Sequence, residues 1–149
     1  MAALKSLEIL NAGYTWILDI DLENFFDTVD HDILIQILAK TIKDKAVVEI
    51  IKKSLSSGVM IKGKLHRTTR GLFQGSPLSP LLSNVMLNEL DQKLEARKLK
   101  FVRYGDDVLI FTKKDKASKR AMILVSRYLS DELSLFVNMR KVVWSAQWK

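Results

Sequence analysis

Two pairs of carboxylates are the residues of this sequence that could do chemistry. Asp106 and Asp107 follow Gly105 between two apolar segments, and Asp19 and Asp21 lie on an earlier predicted strand. Because side chains alternate along a strand, Asp19 and Asp21 share one face. Paired carboxylates repel each other unless a cation lies between them, and hard oxygen ligands suit Mg²⁺, with Mn²⁺ as a substitute. Two such ions about 4 Å apart can activate a 3′-hydroxyl and stabilise a leaving pyrophosphate, so the pattern indicates nucleotidyl transfer.

Each carboxylate group also has a plainer interpretation. Gly105, Asp106 and Asp107, taken alone, suit an ordinary hairpin turn equally well, since Gly and Asp tolerate the positive φ of such turns. The segment 19–32 carries six carboxylates and no Lys or Arg. The carboxylates of this segment that follow the predicted strand are better explained as helix caps and solvated charges.

The composition restricts the class of protein. A chain of 149 residues with a net charge of +7 fits one domain and favours an anionic partner, with nucleic acid preferred to a membrane surface. It has no cysteine, which excludes disulfides, zinc-thiolate sites and Cys nucleophiles and points to the cytoplasm. No apolar run approaches the roughly 18 residues of a membrane span.

The elements that would position the carboxylates form an α+β pattern. Helical periodicity, strand alternation and turn residues predict a helix before Gly13, a strand over 14–21, a turn over 22–29, and helices begun by Asp30 and Asp44. There follow a hairpin around Gly63, a long helix over 77–97, the Gly-Asp-Asp hairpin, a helix capped by Asp115 that runs to about residue 133, and terminal strands. This order predicts an antiparallel sheet with helices packed mainly on one face.

Three segments in this order resemble the palm of reverse transcriptases, and most closely that of the group II intron reverse transcriptases, the intron-encoded maturases. They are the Asp-rich strand, the Gln-Gly-Ser-Pro loop at 74–77 and the hairpin at 104–107. The resemblance implies a ferredoxin-like or RRM-like polymerase palm over residues 1–149. The fingers and thumb of such enzymes are expected outside this chain.

The first segment resembles the family pattern of Asp, three residues, then Phe-Phe-Asp and a nearby His-Asp, which are matched here by Asp21, Phe25, Phe26, Asp27, His31 and Asp32. The resemblance implies that Asp21 is a catalytic metal ligand, with the Leu22 carbonyl as a second contact. It implies that Phe26 packs against the nucleotide sugar and favours deoxynucleotides, whereas Phe25 is interpreted as core. Alternation alone would also allow Asp19 as the ligand, but the spacing to Phe26 favours Asp21.

The hairpin supplies the other two catalytic carboxylates in the family pattern, Asp106 and Asp107. Gly105 stands where these enzymes commonly carry alanine. Since successive strand residues point to opposite faces, we expect only one of the pair to face the site directly, and we expect the first to be better placed beside Asp21.

The nucleotide-binding residues implied by the resemblance are Gln74, Gly75 and Lys141. Gln74 and Gly75 belong to a loop that lies beside the incoming nucleotide in the family, although Phe73 replaces the usual proline before them. Lys141 follows Asn138 at the spacing of the family's Asn-x-x-Lys pattern. It is interpreted as a phosphate or proton-transfer contact, and a solvated surface lysine is an equal alternative.

The implied function is RNA-directed DNA polymerisation with two Mg²⁺ ions, using an RNA template, a DNA primer and dNTPs; intron RNA is a further candidate partner. We expect the isolated chain to be weakly active or inactive, because positioning is a large part of phosphoryl transfer. The alternative is a noncatalytic RNA-binding or structural palm-like module. The basic run 113–120 is interpreted first as a solvated helix start and second as an RNA-backbone contact.

Overall fold

The computed structural model describes residues 2–139 and 143–145, with 59–61 and 143–145 described by their backbone. The elements of this part of the chain are α1 (Ala2–Asn11), β1 (Trp16–Ile20), α2 (Phe25–Thr28), α3 (His31–Thr41), α4 (Lys45–Ser56), β2 (Val59–Ile61), β3 (Lys64–His66), α5 (Ser79–Ala96), β4 (Lys100–Tyr104), β5 (Asp107–Thr112), α6 (Asp115–Leu133) and β6 (Val143–Ser145). None of the described helices is long and apolar enough to cross a membrane.

The chain divides into two compact units. The first, Met1–Glu23 with Leu87–Lys149, contains a four-stranded antiparallel sheet in the order β4-β5-β1-β6. The second, Asn24–Met86, contains α2, α3, α4 and the hairpin β2-β3. Helix α5 begins in the second unit and ends in the first. The predicted α+β class is therefore confirmed.

One face of the four-stranded sheet, which we call the helix face, is covered by α5 and α6. Its central side chains are fully buried: Leu18 and Ile20 of β1, and Val108 and Ile110 of β5. The register pairs Leu18 with Ile110 and Ile20 with Val108, so these four side chains lie together. Side-chain contacts fix the two helices on this face.

Two polar contacts show how the helices are held. On α5, both carboxylate oxygens of Asp91 accept hydrogen bonds from the Arg103 guanidinium, at 2.9 Å from Nε to Oδ1 and 2.7 Å from Nη2 to Oδ2. On α6, the Ser118 hydroxyl is hydrogen-bonded to that of Thr112 at the end of β5. A bidentate Arg–carboxylate pair of this kind is geometrically specific, so it fixes α5 relative to β4.

The opposite face, which we call the carboxylate face, carries Asp19 in β1, opposite Leu109. Ile9 of α1 packs there against Val102 and Phe111. The prediction of helices mainly on one face is thus met by the two long helices, whereas α1 covers part of the other face. An apolar pattern identifies a buried helix side but not which sheet face it meets.

The second unit follows the predicted caps. The Asp30 carboxylate accepts hydrogen bonds from the Asp32 and Ile33 amides at the start of α3, and Asp44 caps α4 in the same way. These contacts satisfy amides that have no partner within the helix.

Three local details differ from the predictions. The segment after β1, expected to be a turn, contains the short helix α2. Helix α5 starts at Ser79, two residues after Pro77. Asp115 is the first residue of α6 and not its cap, and its carboxylate forms an ion pair with Lys119 at 2.6 Å, one turn later.

Candidate functional site

Three carboxylates of the first unit lie close enough to influence one another. Asp19 is partly buried on the carboxylate face. Burial raises the pKa of Asp19, and the negative charges of Asp107 and Asp21 raise it further. Asp19, Asp21 and Asp107 therefore form a group of repelling charges.

The two carboxylates of the hairpin, Asp106 and Asp107, lie at different positions relative to the sheet. Tyr104 pairs with Asp107, which leaves Gly105 and Asp106 as a two-residue turn. Gly105 has φ +63°, a conformation that glycine adopts without strain. Asp107 alternates with Leu109 and so lies on the carboxylate face, whereas Asp106 lies in the turn. Alternation therefore places Asp107 on the same face as Asp19, whose pKa the charges of Asp107 and Asp21 both raise. The ranking of Asp106 above Asp107 stays a prediction.

Asp21 is held by a segment that follows α6. The Asn138 amide nitrogen donates to the Asp21 carbonyl at 2.8 Å, and the Glu23 amide donates to the Phe136 carbonyl at 2.8 Å. The Asn138 side-chain Nδ2 also donates to Asp21 Oδ2 at 3.2 Å. Asn138 therefore fixes both the backbone and the carboxylate of Asp21.

The charge repulsion around Asp19 predicts a pH-dependent gain in stability. A folded-state pKa above the ordinary value of 3.8 means that ionised Asp19 destabilises the fold. In EDTA, Asp19→Asn should raise Tm at pH 7. The gain should be full above the folded pKa of Asp19 and should vanish below pH 3.8. Thermal melts of the unmodified chain and of Asp19→Asn between pH 7 and pH 3 measure this gain in Tm. A Tm of Asp19→Asn at pH 7 that is equal to or lower than that of the unmodified chain would contradict the prediction.

In the second unit, Phe25 and Phe26 have different environments. Phe25 is 2% exposed, which agrees with its interpretation as core, whereas Phe26 is only partly buried. The rings meet edge to face with centroids 5.3 Å apart. The Phe26 carbonyl accepts from the Leu72 amide at 2.6 Å. Phe26 is thus fixed on a backbone tied to the start of the Gln74 loop, and its role as a sugar gate stays a prediction.

His31 and Gly71 fix the same loop. His31 is 7% exposed, and its Nε2 donates to the Gly71 carbonyl at 2.7 Å. Gly71 has φ +96°, and a Cβ there would lie 3.3 Å from the Asp27 carbonyl oxygen and 3.4 Å from that of Phe26. Only glycine fits this close approach without a shift. Sequence reasoning treated His31 as a motif match and missed this contact.

Gln74 and Gly75 occupy an open part of the second unit. Gln74 helps line a pocket of about 510 Å³ together with Asp27, Thr68, Arg70, Gly71, Leu72 and Phe73. Gly75 has φ +91°, and no atom lies within 4 Å of where its Cβ would be. The Phe73 carbonyl accepts from the Ser79 hydroxyl at the start of α5, which shows how the loop accommodates Phe73.

The donor chemistry of the first unit fits a divalent metal ion. Asp19, Asp21 and Asp107 offer the hard oxygens that Mg²⁺ and Mn²⁺ prefer. Among the described residues, no group of three or more His, Asp or Glu side chains lies close enough together to hold a metal ion as it stands. A leucine side chain has no donor atom, so only the backbone carbonyl of Leu22 could contribute. Lys141 lies outside the described residues, and its nucleotide contact stays a prediction.

Comparison with known proteins identifies relatives encoded by introns. Group II intron-encoded protein LtrA of Lactococcus lactis is 38% identical over 101 residues, covering 68% of this chain and 17% of LtrA. A protein in the cob intron of Schizosaccharomyces pombe is 35% identical over 100 residues, covering 67% of this chain and 12% of that protein. The chain thus spans less than a fifth of these relatives. They confirm the predicted resemblance to group II intron proteins.

Solved structures share the fold of this chain, and a family model matches its sequence. The chain superposes on Candida albicans telomerase with a TM-score of 0.74 and 18% identity, covering 99% of this chain and 30% of that one. Candida tropicalis telomerase gives 0.73 at 16% identity, covering 96% of this chain and 31% of that one. A family model described as reverse transcriptase (RNA-dependent DNA polymerase) matches residues 3–149. Enzymes of that family use divalent metal ions. This chain belongs to the reverse transcriptase (RNA-dependent DNA polymerase) family.

Proposed function

We propose that this chain is the catalytic palm of an RNA-directed DNA polymerase of the group II intron type. Within a longer protein it would extend a DNA primer from dNTPs on an RNA template. The observation that carries this proposal is that Asp19 and Asp107 lie on the carboxylate face, with Asp21 near enough to Asp19 for its charge to act on it, in a chain of this family. Such a group is repulsive on its own and becomes favourable around cations.

The metal ligands we propose are Asp21, Asp106, Asp107 and the Leu22 carbonyl. Two Mg²⁺ ions, or Mn²⁺ in their place, would supply activation of the primer 3′-hydroxyl and stabilisation of the pyrophosphate. The protein's part is to hold the oxygens in place before the substrate arrives. The Asn138–Asp21 hydrogen bond does this for Asp21, because it occupies Oδ2 and fixes the direction of the carboxylate.

The nucleotide contacts we propose come from Phe26, Gln74, Gly75 and Lys141. The Phe26 ring would fill the space that a ribose 2′-hydroxyl needs. Gln74 can both donate and accept hydrogen bonds, and Gly75 allows a close backbone approach. The described contact that supports this assignment is the hydrogen bond from the Leu72 amide to the Phe26 carbonyl, which ties Phe26 to the start of the loop.

A second candidate is a noncatalytic RNA-binding or structural palm-like module, with intron RNA as its ligand. The observation that favours it is Tyr104, which is 80% exposed at the hairpin tip and could stack on a base. This candidate does not account for the carboxylates around Asp19.

Primer extension separates the two candidates. The full-length enzyme containing this chain is incubated with an RNA template, a DNA primer, dNTPs and Mg²⁺, and the products are resolved by length. We expect template-dependent extension that EDTA abolishes. Binding of the primer–template without extension, in Mg²⁺ and in Mn²⁺, would favour the noncatalytic candidate.

The contact between Asn138 and Asp21 predicts a loss of metal affinity in Asn138→Ala. Removing a side chain that orients a metal ligand typically weakens binding about 10–100-fold. Mn²⁺ titration of the 149-residue chain, followed by electron paramagnetic resonance, should show a loss in this range. Asn11→Ala, at the exposed end of α1, is the control. Unchanged Mn²⁺ affinity in a folded Asn138→Ala protein would contradict the orienting role.

A further inference from the structure

A groove of about 340 Å³ lies between the second half of α5 and the outer side of α6. It belongs to the first unit. Both helices are fixed on the helix face of the sheet, through Asp91 of α5 and Ser118 of α6. The groove is therefore on the side of the sheet opposite the carboxylate face, and the polymerase proposal does not use it.

Cations line both walls of this groove. Lys93 lies in the last turn of α5, and Arg97 is the first residue after that helix. Arg120 and Arg127 are seven residues apart on α6, a spacing that places them on one side of the helix. Both walls of the groove therefore carry positive charge.

Four cations and two carboxylates line the groove, namely Lys93, Arg97, Arg120 and Arg127 against Asp131 and Glu132. No ion pair among the described residues includes Arg97, Arg120 or Arg127, in contrast to Arg103, which Asp91 neutralises. The carboxylates that line the groove, Asp131 and Glu132, belong to the last residues of α6. Positive charge thus dominates the part of the groove nearer the start of α6.

Tyr128 and Ile123 line the groove between these charges. The Tyr128 hydroxyl donates to the Glu89 carbonyl at 3.3 Å, and the Lys93 ammonium lies 5.0 Å from the centre of the Tyr128 ring. The Ile123 side chain is 62% exposed. The positions of Lys93 and Tyr128 are thus fixed by contacts between α5 and α6, so the groove offers a preformed positive surface to an anionic ligand.

We propose that this groove binds the phosphodiester backbone of RNA, as a second contact separate from the carboxylate site. We choose RNA as the ligand because of charge complementarity. RNA carries a negative phosphate at every nucleotide, and cations stand on both walls of the groove. Arg120 belongs to the basic run 113–120. The proposal goes beyond polymerisation and does not depend on it, since it requires only RNA binding.

Salt-dependent RNA binding by the 149-residue chain tests this proposal. The probe is a labelled 20-nucleotide single-stranded RNA, followed by fluorescence anisotropy. The variant is Arg97→Gln/Arg120→Gln/Arg127→Gln, and the matched control removes three exposed lysines of α4, Lys45→Gln/Lys52→Gln/Lys53→Gln. Each lost phosphate contact lowers the slope of log K against log salt by about 0.7, so we expect the arginine variant to lose about 2 in slope and at least about tenfold in affinity near 0.1 M salt.

Three further measurements make the result decisive. The charge-preserving variant Arg97→Lys/Arg120→Lys/Arg127→Lys should keep the salt slope, which shows that charge and not folding is responsible. The loss of slope in the Arg97→Gln/Arg120→Gln/Arg127→Gln variant should be the same in EDTA as in Mg²⁺ at equal ionic strength, which separates this groove from the proposed metal site. Equal losses in the arginine and lysine variants would overturn the proposal, because binding would follow net charge alone. Competition by polyglutamate at least as strong as by unlabelled RNA would overturn it in favour of an acidic protein partner.

Discussion

Asp21→Asn should reduce kcat/KM for dNTP incorporation by the full-length enzyme roughly a thousandfold or more. Bound metal ions contribute several kcal/mol of transition-state stabilisation, and each 1.4 kcal/mol corresponds to about a factor of ten. The amide of Asn keeps the shape of the side chain but removes the negative charge that a divalent ion requires. Single-turnover primer extension on an RNA template measures the effect.

The control for Asp21→Asn is Glu49→Gln, which removes one carboxylate from the exposed surface of α4. This variant should extend primers at the rate of the unmodified enzyme. Thermal melts of both variants exclude unfolding as the cause of a loss. An Asp21→Asn enzyme that retains a tenth or more of the original kcat/KM would contradict the role of Asp21 as a metal ligand.

Phe26→Val should raise ribonucleotide incorporation relative to deoxynucleotide incorporation by about tenfold or more. A bulky ring excludes the 2′-hydroxyl by steric clash, and about 1.4 kcal/mol of differential transition-state binding changes the preference tenfold. Because Phe26 is only partly buried, its replacement should leave RNA-templated extension intact. The measurement is the ratio of kcat/KM for the two sugars on one RNA template.

Phe136→Val is the control for the loss of a phenyl ring, since Phe136 is 53% exposed. Its sugar preference should equal that of the unmodified enzyme. A Phe26→Val enzyme with an unchanged ratio would show that Phe26 is not the gate. An unmodified enzyme that already prefers ribonucleotides would contradict the reverse-transcriptase interpretation and favour an RNA polymerase.

Local signals in the sequence were sufficient for most elements. Asp30 and Asp44 predict the starts of α3 and α4 because a capping carboxylate acts on amides two and three residues away. Side-chain alternation placed Asp19 on the carboxylate face, because alternation depends only on the two-residue period of a strand and so is also a local signal. The short helix α2 was missed, because its four residues are too few for a helical period to appear.

Contacts between distant segments could not be predicted in this way. Asn138 and Asp21 are 117 residues apart, and His31 and Gly71 are 40 apart. No periodicity relates such pairs, because they meet only through the order and register of the strands and the path of the loops. The family motifs identified Asn138 and His31 as residues of interest, but their hydrogen-bond partners required the structure.

A shared catalytic metal site is tested by a crystal of the chain soaked in Mn²⁺, with anomalous diffraction recorded at the manganese edge. We expect anomalous density among the carboxylates of Asp21, Asp106 and Asp107, with Asn138 still hydrogen-bonded to Asp21. Anomalous density found only elsewhere, or Asp21 lying far from both hairpin carboxylates, would contradict a shared catalytic metal site.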